Sequence, residues 1–110
     1  MKNKSVRKIL EFREARDWEQ FHLPKNLAIS LSLEASEVLE LFQWTKDNEL
    51  PPERRADLEA ELADVYYWTL LLAHEFGIDL DRALSRKMKE NEKKYPVEKS
   101  KGKSTKYHRL

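Results

Sequence analysis

Glu61-Leu62-Ala63-Asp64-Val65-Tyr66-Tyr67-Trp68-Thr69-Leu70-Leu71-Leu72, residues 61–72, is the stretch whose reading decides the fold. It holds no glycine or proline, and from Val65 onward apolar side chains cover nearly the whole circumference of a helix. The pattern therefore predicts a long helix in which a carboxylate such as Asp64 is at least partly buried. The helix extends from about Glu53 to Phe76, with Pro51 and Pro52 at its start and Gly77 placed to close it in a left-handed cap. The main buried face is expected to carry Leu58, Leu62, Val65, Thr69, Leu72 and Phe76.

Outward from this helix the chain continues in the same manner. Upstream, a helix from Lys25 or Asn26 to about Trp44 carries Leu27, Leu31, Val38 and Leu41 on one stripe. Before it, Asp17 to Pro24 (DWEQFHLP) mixes aromatic and polar side chains and ends on a proline, as a structured loop would. A first helix spans about Ser5 to Arg16, with Ser5 as its N-cap and Val6, Ile9, Leu10 and Phe12 on one face. Downstream, Asp79 caps a fourth helix, Leu80 to Lys94, whose apolar face is Leu80, Leu84 and Met88. Lys46 to Pro52 reads as a turn, and Tyr95-Pro96 as a stop. Residues 97–110 form a basic tail, expected to be mobile. The fold class is all-α, a four-helix bundle-like subunit with residues 1–96 as a single domain. Short helices with wide apolar faces in a chain of 110 residues favour completion of the core by self-association.

Composition excludes several classes of function. A net charge of +1 argues against a long nucleic acid as partner. With no cysteine, neither a disulfide nor a thiolate metal site is available. The longest uncharged run, residues 65–74, is too short to span a bilayer, so the reading is a soluble cytoplasmic protein.

The informative side chains are acids on apolar faces. Glu34 follows Leu27 by seven and Leu31 by three and precedes Val38 by four, so it points into the middle of the stripe. Glu37 sits at the stripe's edge, and Glu40 turns toward solvent. On the long helix Glu61 and Asp64 lie on the side shared with Trp68 and Leu71, and Asp64 is expected to be partly buried. An unpaired ionised carboxylate costs several kcal/mol to bury, and converging carboxylates repel one another. No lysine or arginine one turn away pairs with Glu34. A hard divalent cation with oxygen ligands, Mg²⁺ or Mn²⁺, is the economical solution, and the all-carboxylate donor set disfavours zinc.

Glu34-x-x-Glu37, followed after residues 38–60 by Glu61-x-x-Asp64, resembles the E-x-x-E…E-x-x-D signature of the MazG-like all-α NTP pyrophosphohydrolase superfamily, closest to its dCTP pyrophosphatase branch. The resemblance extends to Arg16-Asp17-Trp18-Glu19-Gln20-Phe21-His22-x-Pro24-x-Asn26-Leu27, Glu40-Leu41-Phe42-Gln43-Trp44, Lys87-Met88 with Asn91, and Tyr95-Pro96. It implies Mg²⁺-dependent cleavage of a (deoxy)nucleoside triphosphate to monophosphate and pyrophosphate, with dCTP-like or modified nucleotides as substrates in a house-cleaning role. It also implies Glu34, Glu37, Glu61 and Asp64 as Mg²⁺ ligands, Trp18, Trp44 and Trp68 around the base, and Lys87 and Asn91 facing the nucleotide. Dimers and homotetramers with sites between subunits both follow from it. Glu37 is the choice for the base that takes a proton from water, and His22 is a further substrate-binding candidate.

Two departures stand out. Ile9 and Leu10 occupy the region where vertebrate dCTP-selective relatives carry a histidine, and Trp68 replaces a frequent tyrosine. Two other functions compete. A non-catalytic helical dimerisation module would share the architecture without needing the acids. A di-metal carboxylate oxidase would need Glu-x-x-His pairs on its helices, and the predicted helices carry none.

Overall fold

The computed structural model describes residues 4–46 and 49–110. Of the turn expected at Lys46 to Pro52, Asp47 and Asn48 lie outside the described residues. Among those described there is no strand, and no helix is long and apolar enough to cross a membrane. The helices are α1 (Lys4–Ala15), α2 (Pro24–Glu40), α3 (Arg55–Glu75), α4 (Leu80–Lys94) and α5 (Val97–Ser100). Short 3₁₀ turns stand at Glu19–Phe21, Pro52–Arg54 and Tyr107–Arg109. The chain divides into two compact units, Met1–Gly77 and Ile78–Leu110.

In the first unit α1 and α2 both pack against α3. Lys4, the first described residue, is already helical, so Ser5 lies inside α1 rather than capping it. Pro24 occupies the first turn of α2, where its missing N–H is not needed, and Leu23 in extended conformation leads into it. The helix ends at Glu40, four residues before the predicted Trp44, and Leu41 to Trp44 continue as turns. Leu41 is buried at that exit. Gly77 takes φ +64° after α3, the left-handed conformation that ends the helix without a Cβ clash.

The core is small: Leu27, Leu41, Leu70, Leu71 and Ala73 are its buried apolar side chains. The buried face predicted for α3 is corrected accordingly. Leu62 and Phe76 are exposed, at 51% and 63%, while the sealed part of the helix is the run from Leu70 to Ala73. The cause is local: α1 covers α3 near its C-terminal end, while one chain leaves the far side of α3 open. Phe12 is likewise exposed, and the place on α1 three residues after Leu10 is taken by buried Arg13.

In the second unit the Asp79 carboxylate accepts the N–H groups of Asp81 (3.1 Å) and Arg82 (3.3 Å), the predicted N-cap of α4. Leu84 and Met88 remain exposed. The basic tail contains α5, and the Tyr107 ring stands edge-on to Tyr95 while the Lys94 ammonium lies 4.8 Å from its centroid.

Candidate active site

Two adjacent helices supply the acids. Positions 34 and 37 on α2 and 61 and 64 on α3 are each one turn apart, so each pair shares a helix face. Packing α2 on α3 brings Glu34, Glu61 and Asp64 together, one carboxylate oxygen from each lying within 4.8 Å of the others. Glu34 and Glu61 are half-buried, and each has an Oε2 sealed from solvent with no hydrogen-bond partner. Asp64 is exposed, contrary to the partial burial expected of it: it shares a face with buried Leu71 but stands two turns nearer the start of α3, outside the stretch that is sealed. Glu37 stands outside the triplet but close enough to act on both Glu34 and Glu61.

The electrostatics follow from the crowding. Burial, then the neighbouring Glu37 carboxyl and the charge of Asp64, raise Glu34 above the ordinary carboxyl range. The nearby Trp68 indole opposes this shift. Glu61 is pushed up to about 7, first by the Glu37 carboxyl beside it, then by desolvation and by the charges of Glu34 and Asp64. Two orphaned shielded oxygens in a purely carboxylate donor set form a group suited to a hard divalent cation.

Beside the acids lies the aromatic segment. Helix α1 ends in a reversal centred on Asp17, whose φ of +55° is left-handed. Trp18 N–H donates to the Arg13 carbonyl (3.1 Å) and Asp17 N–H to that of Glu14 (3.1 Å), the double closure of a Schellman turn. Its usual apolar contact is present too, Trp18 standing edge-on to Phe12 with centroids 5.6 Å apart. Four residues after Trp18, the 3₁₀ turn delivers His22, whose ring stands edge-on to Trp68 at 5.5 Å. Trp68 meets Tyr67 in the same way at 5.0 Å. Burial, then the charge of Arg13, lowers the pKa of His22, so the ring is neutral near pH 7; its Nδ1 is shielded without a partner. Glu19 and His22 do have Glu-x-x-His spacing, but they lie on the 3₁₀ turn, and Glu19 faces Arg13.

The structure thus brings together Glu34, Glu37, Glu61, Asp64, Trp68 and His22. Trp18 opens the segment that ends at His22 and is partly exposed. Trp44 is 89% exposed, on the turn after α2, and lines an open groove with Lys46, Leu50 and Pro51. Lys87 and Asn91, four residues apart, share a face of α4 in the second unit, where Lys87 pairs with Glu90 at 3.3 Å. Arg13 escaped the sequence reading. The signal was available, since a charge three residues after Leu10 and seven after Val6 interrupts an apolar stripe just as Glu34 does.

Comparison with known proteins gives a consistent picture. The profile of the MazG-like family matches residues 29–110. Mouse dCTP pyrophosphatase 1 is 45% identical over 102 residues, 88% of this chain and 60% of that protein. The human dCTP pyrophosphatase 1 is 42% identical over 105 residues, 91% of this chain and 62% of that one. The chain therefore spans about three-fifths of the length of these curated relatives. A crystal structure of a pyrophosphatase from Archaeoglobus fulgidus superposes with a TM-score of 0.79 at 42% identity, covering 83% of this chain and 88% of that one.

Proposed function

This chain belongs to the MazG-like family, and on that premise we propose that it hydrolyses a (deoxy)nucleoside triphosphate, dCTP or a modified relative, to the monophosphate and pyrophosphate. The observation that carries the reading is the pair of shielded, unpartnered carboxylate oxygens on Glu34 and Glu61, within 4.8 Å of Asp64. Left ionised and unpaired, such oxygens are costly; a divalent cation satisfies them. The relatives named dCTP pyrophosphatase support the substrate class.

Glu34, Glu61 and Asp64, with Glu37, would hold Mg²⁺, Mn²⁺ being the natural substitute. A bound divalent cation supplies charge neutralisation and polarisation of the phosphates. The residues around it have separable tasks. Glu37, exposed beside two of the other acids, takes the proton from the attacking water. Trp18 and Trp44 stack on the base, and Trp68, turned against His22 and Glu34, closes the end of the pocket nearest the acids. His22, held neutral, offers a hydrogen bond at the base without adding charge. Lys87 offsets phosphate charge and Asn91 hydrogen-bonds to the nucleotide. The enzyme works as a homo-oligomer, dimer or tetramer, in the cytoplasm. Leu33, Leu62, Tyr66 and Phe76, all exposed on one chain, support self-association.

A non-catalytic dimerisation module accounts for the exposed apolar residues but leaves the acid cluster without a purpose. The deciding experiment is a panel of canonical and modified (d)NTPs with Mg²⁺, the products resolved by chromatography. Monophosphate with pyrophosphate is the expected result. Release of orthophosphate and a diphosphate would overturn the reaction, and no turnover with any nucleotide would favour the module.

A further inference from the structure

Among the described residues Arg13 is the one charged side chain in the buried set, with 5% of its side chain exposed. A guanidinium taken out of water must be paired to be tolerated. Its Nη1 donates to Glu75 Oε1 at 2.9 Å, and its Nη2 lies 3.9 Å from Glu19 Oε1. Glu75 is the last residue of α3, and Glu19 the first of the 3₁₀ turn within the aromatic segment. One side chain on α1 therefore ties that segment to α3. The main chain of the same residue holds the segment to the end of α1, since the Arg13 carbonyl accepts N–H groups from Arg16 (3.3 Å) and Trp18 (3.1 Å). At the far end of the segment His22 lies within the electrostatic reach of this guanidinium and against Trp68 of α3.

We propose that Arg13 is a positioning residue for nucleotide binding: its guanidinium, hydrogen-bonded to Glu75 and facing Glu19, and its carbonyl, which holds Trp18, set where Trp18 and His22 stand relative to Trp68. The proposal rests on the reading of residues 17–23 as the segment that receives the base. A buried ion pair adds little stability over an apolar pair of similar volume, because desolvation offsets most of the attraction. What it adds is direction. A planar guanidinium directs its hydrogen bond to Glu75 with one nitrogen while presenting the other to Glu19, which neither a point charge nor a methyl group can do. The acids that would hold the cation sit elsewhere on α2 and α3, so loss of the guanidinium should weaken binding of the base and leave the chemical step alone.

The test compares the wild-type chain with Arg13→Lys and with the double variant Arg13→Met/Glu75→Leu, which replaces the buried pair with apolar side chains and keeps the volume filled. Two readouts are taken: amide hydrogen exchange of residues 16–23 in the free protein, and KM and kcat for dCTP with Mg²⁺. The double variant should keep its helical signal and the exchange protection of residues 65–73. Protection of 16–23 should fall about tenfold or more, KM should rise about tenfold, and kcat should stay within about twofold. Arg13→Lys, retaining charge but not the planar guanidinium, should fall between. Unchanged exchange in 16–23, or raised exchange with unchanged KM, overturns the proposal. Should the wild-type chain turn over no nucleotide, the pyrophosphohydrolase reading fails by itself, and the exchange comparison still decides whether Arg13 holds the segment.

Discussion

Glu34 on α2 and Glu61 on α3 face each other across the helix pair, one carboxylate oxygen of each within 4.8 Å of the other and of Asp64, and each keeps an Oε2 shielded without a hydrogen-bond partner. The Glu37 carboxyl beside it, then desolvation, push Glu61 up to about 7, so without a cation it keeps its proton to higher pH than ordinary glutamates do.

The consequence for pH runs in a definite direction. In the unfolded chain Glu61 loses its proton near 4.5, whereas in the folded, metal-free protein it does so near 7. Between those values the folded state binds the extra proton, so its contribution to stability is full below 4.5 and is lost as pH rises through 7. A divalent cation requires the ionised form and competes with that proton. Thermal melts of metal-free protein should therefore show Tm falling from pH 5 to 7.5, and added Mg²⁺ should raise Tm more at pH 8 than at pH 6. Equal Mg²⁺ shifts at both pH values would refute the coupling.

Neutralising an acid should separate activity from folding. Glu34→Gln, Glu61→Gln or Asp64→Asn removes repulsion in the metal-free cluster, so Tm without metal should hold or rise. Turnover should drop by about 100-fold or more, the scale implied by losing several kcal/mol of transition-state stabilisation. Stabilisation by Mg²⁺ should disappear with it. Retention of near-normal rates in any one variant would remove that residue from the ligand set.

Trp18→Ala addresses the base. Stacking on an aromatic ring contributes about 1–3 kcal/mol per base by analogy with single-strand binding, which corresponds to a rise in KM of about 5- to 150-fold with little change in kcat. Steady-state kinetics decide it, and an unaltered KM would place the base elsewhere.

Leu27 and Leu62 should answer to different measurements. Leu27 is fully buried between helices, so Leu27→Ala should cost about 2–5 kcal/mol in chemical denaturation. Leu62 is half exposed on one chain, so Leu62→Glu should leave the secondary structure intact and shift sedimentation toward the monomer. A Leu62→Glu protein that sediments like the wild type would exclude that face of α3 from the subunit interface.

Much of this was legible in the residue order. The periodicity of α2 placed Glu34 among Leu27, Leu31, Val38 and Leu41 before any coordinate was known, because a helix repeats on a fixed angle. Gly77 and Asp79 announced the end of one helix and the start of the next through local conformational preference and local hydrogen bonding, which need no partner from elsewhere in the chain. The same holds for the spacing of Glu61 and Asp64.

What periodicity could not supply is which neighbour covers a given face. Asp64 was expected to be partly buried and is exposed; Phe12 was assigned to the core and lies outside it, with Arg13 in its place. Each depends on contacts between residues distant in sequence: Arg13 is buried because Glu75, sixty-two residues away, meets it, and Glu61 titrates near 7 because α2 brings Glu37 to it. Residue order alone determined the four main helices, the Gly77 and Asp79 caps and the presence of acids on apolar faces, since those follow from interactions within a few turns. Only the tertiary structure decided which acids meet, which oxygens lack partners and where the aromatic segment is anchored, since burial and charge coupling are properties of space between elements.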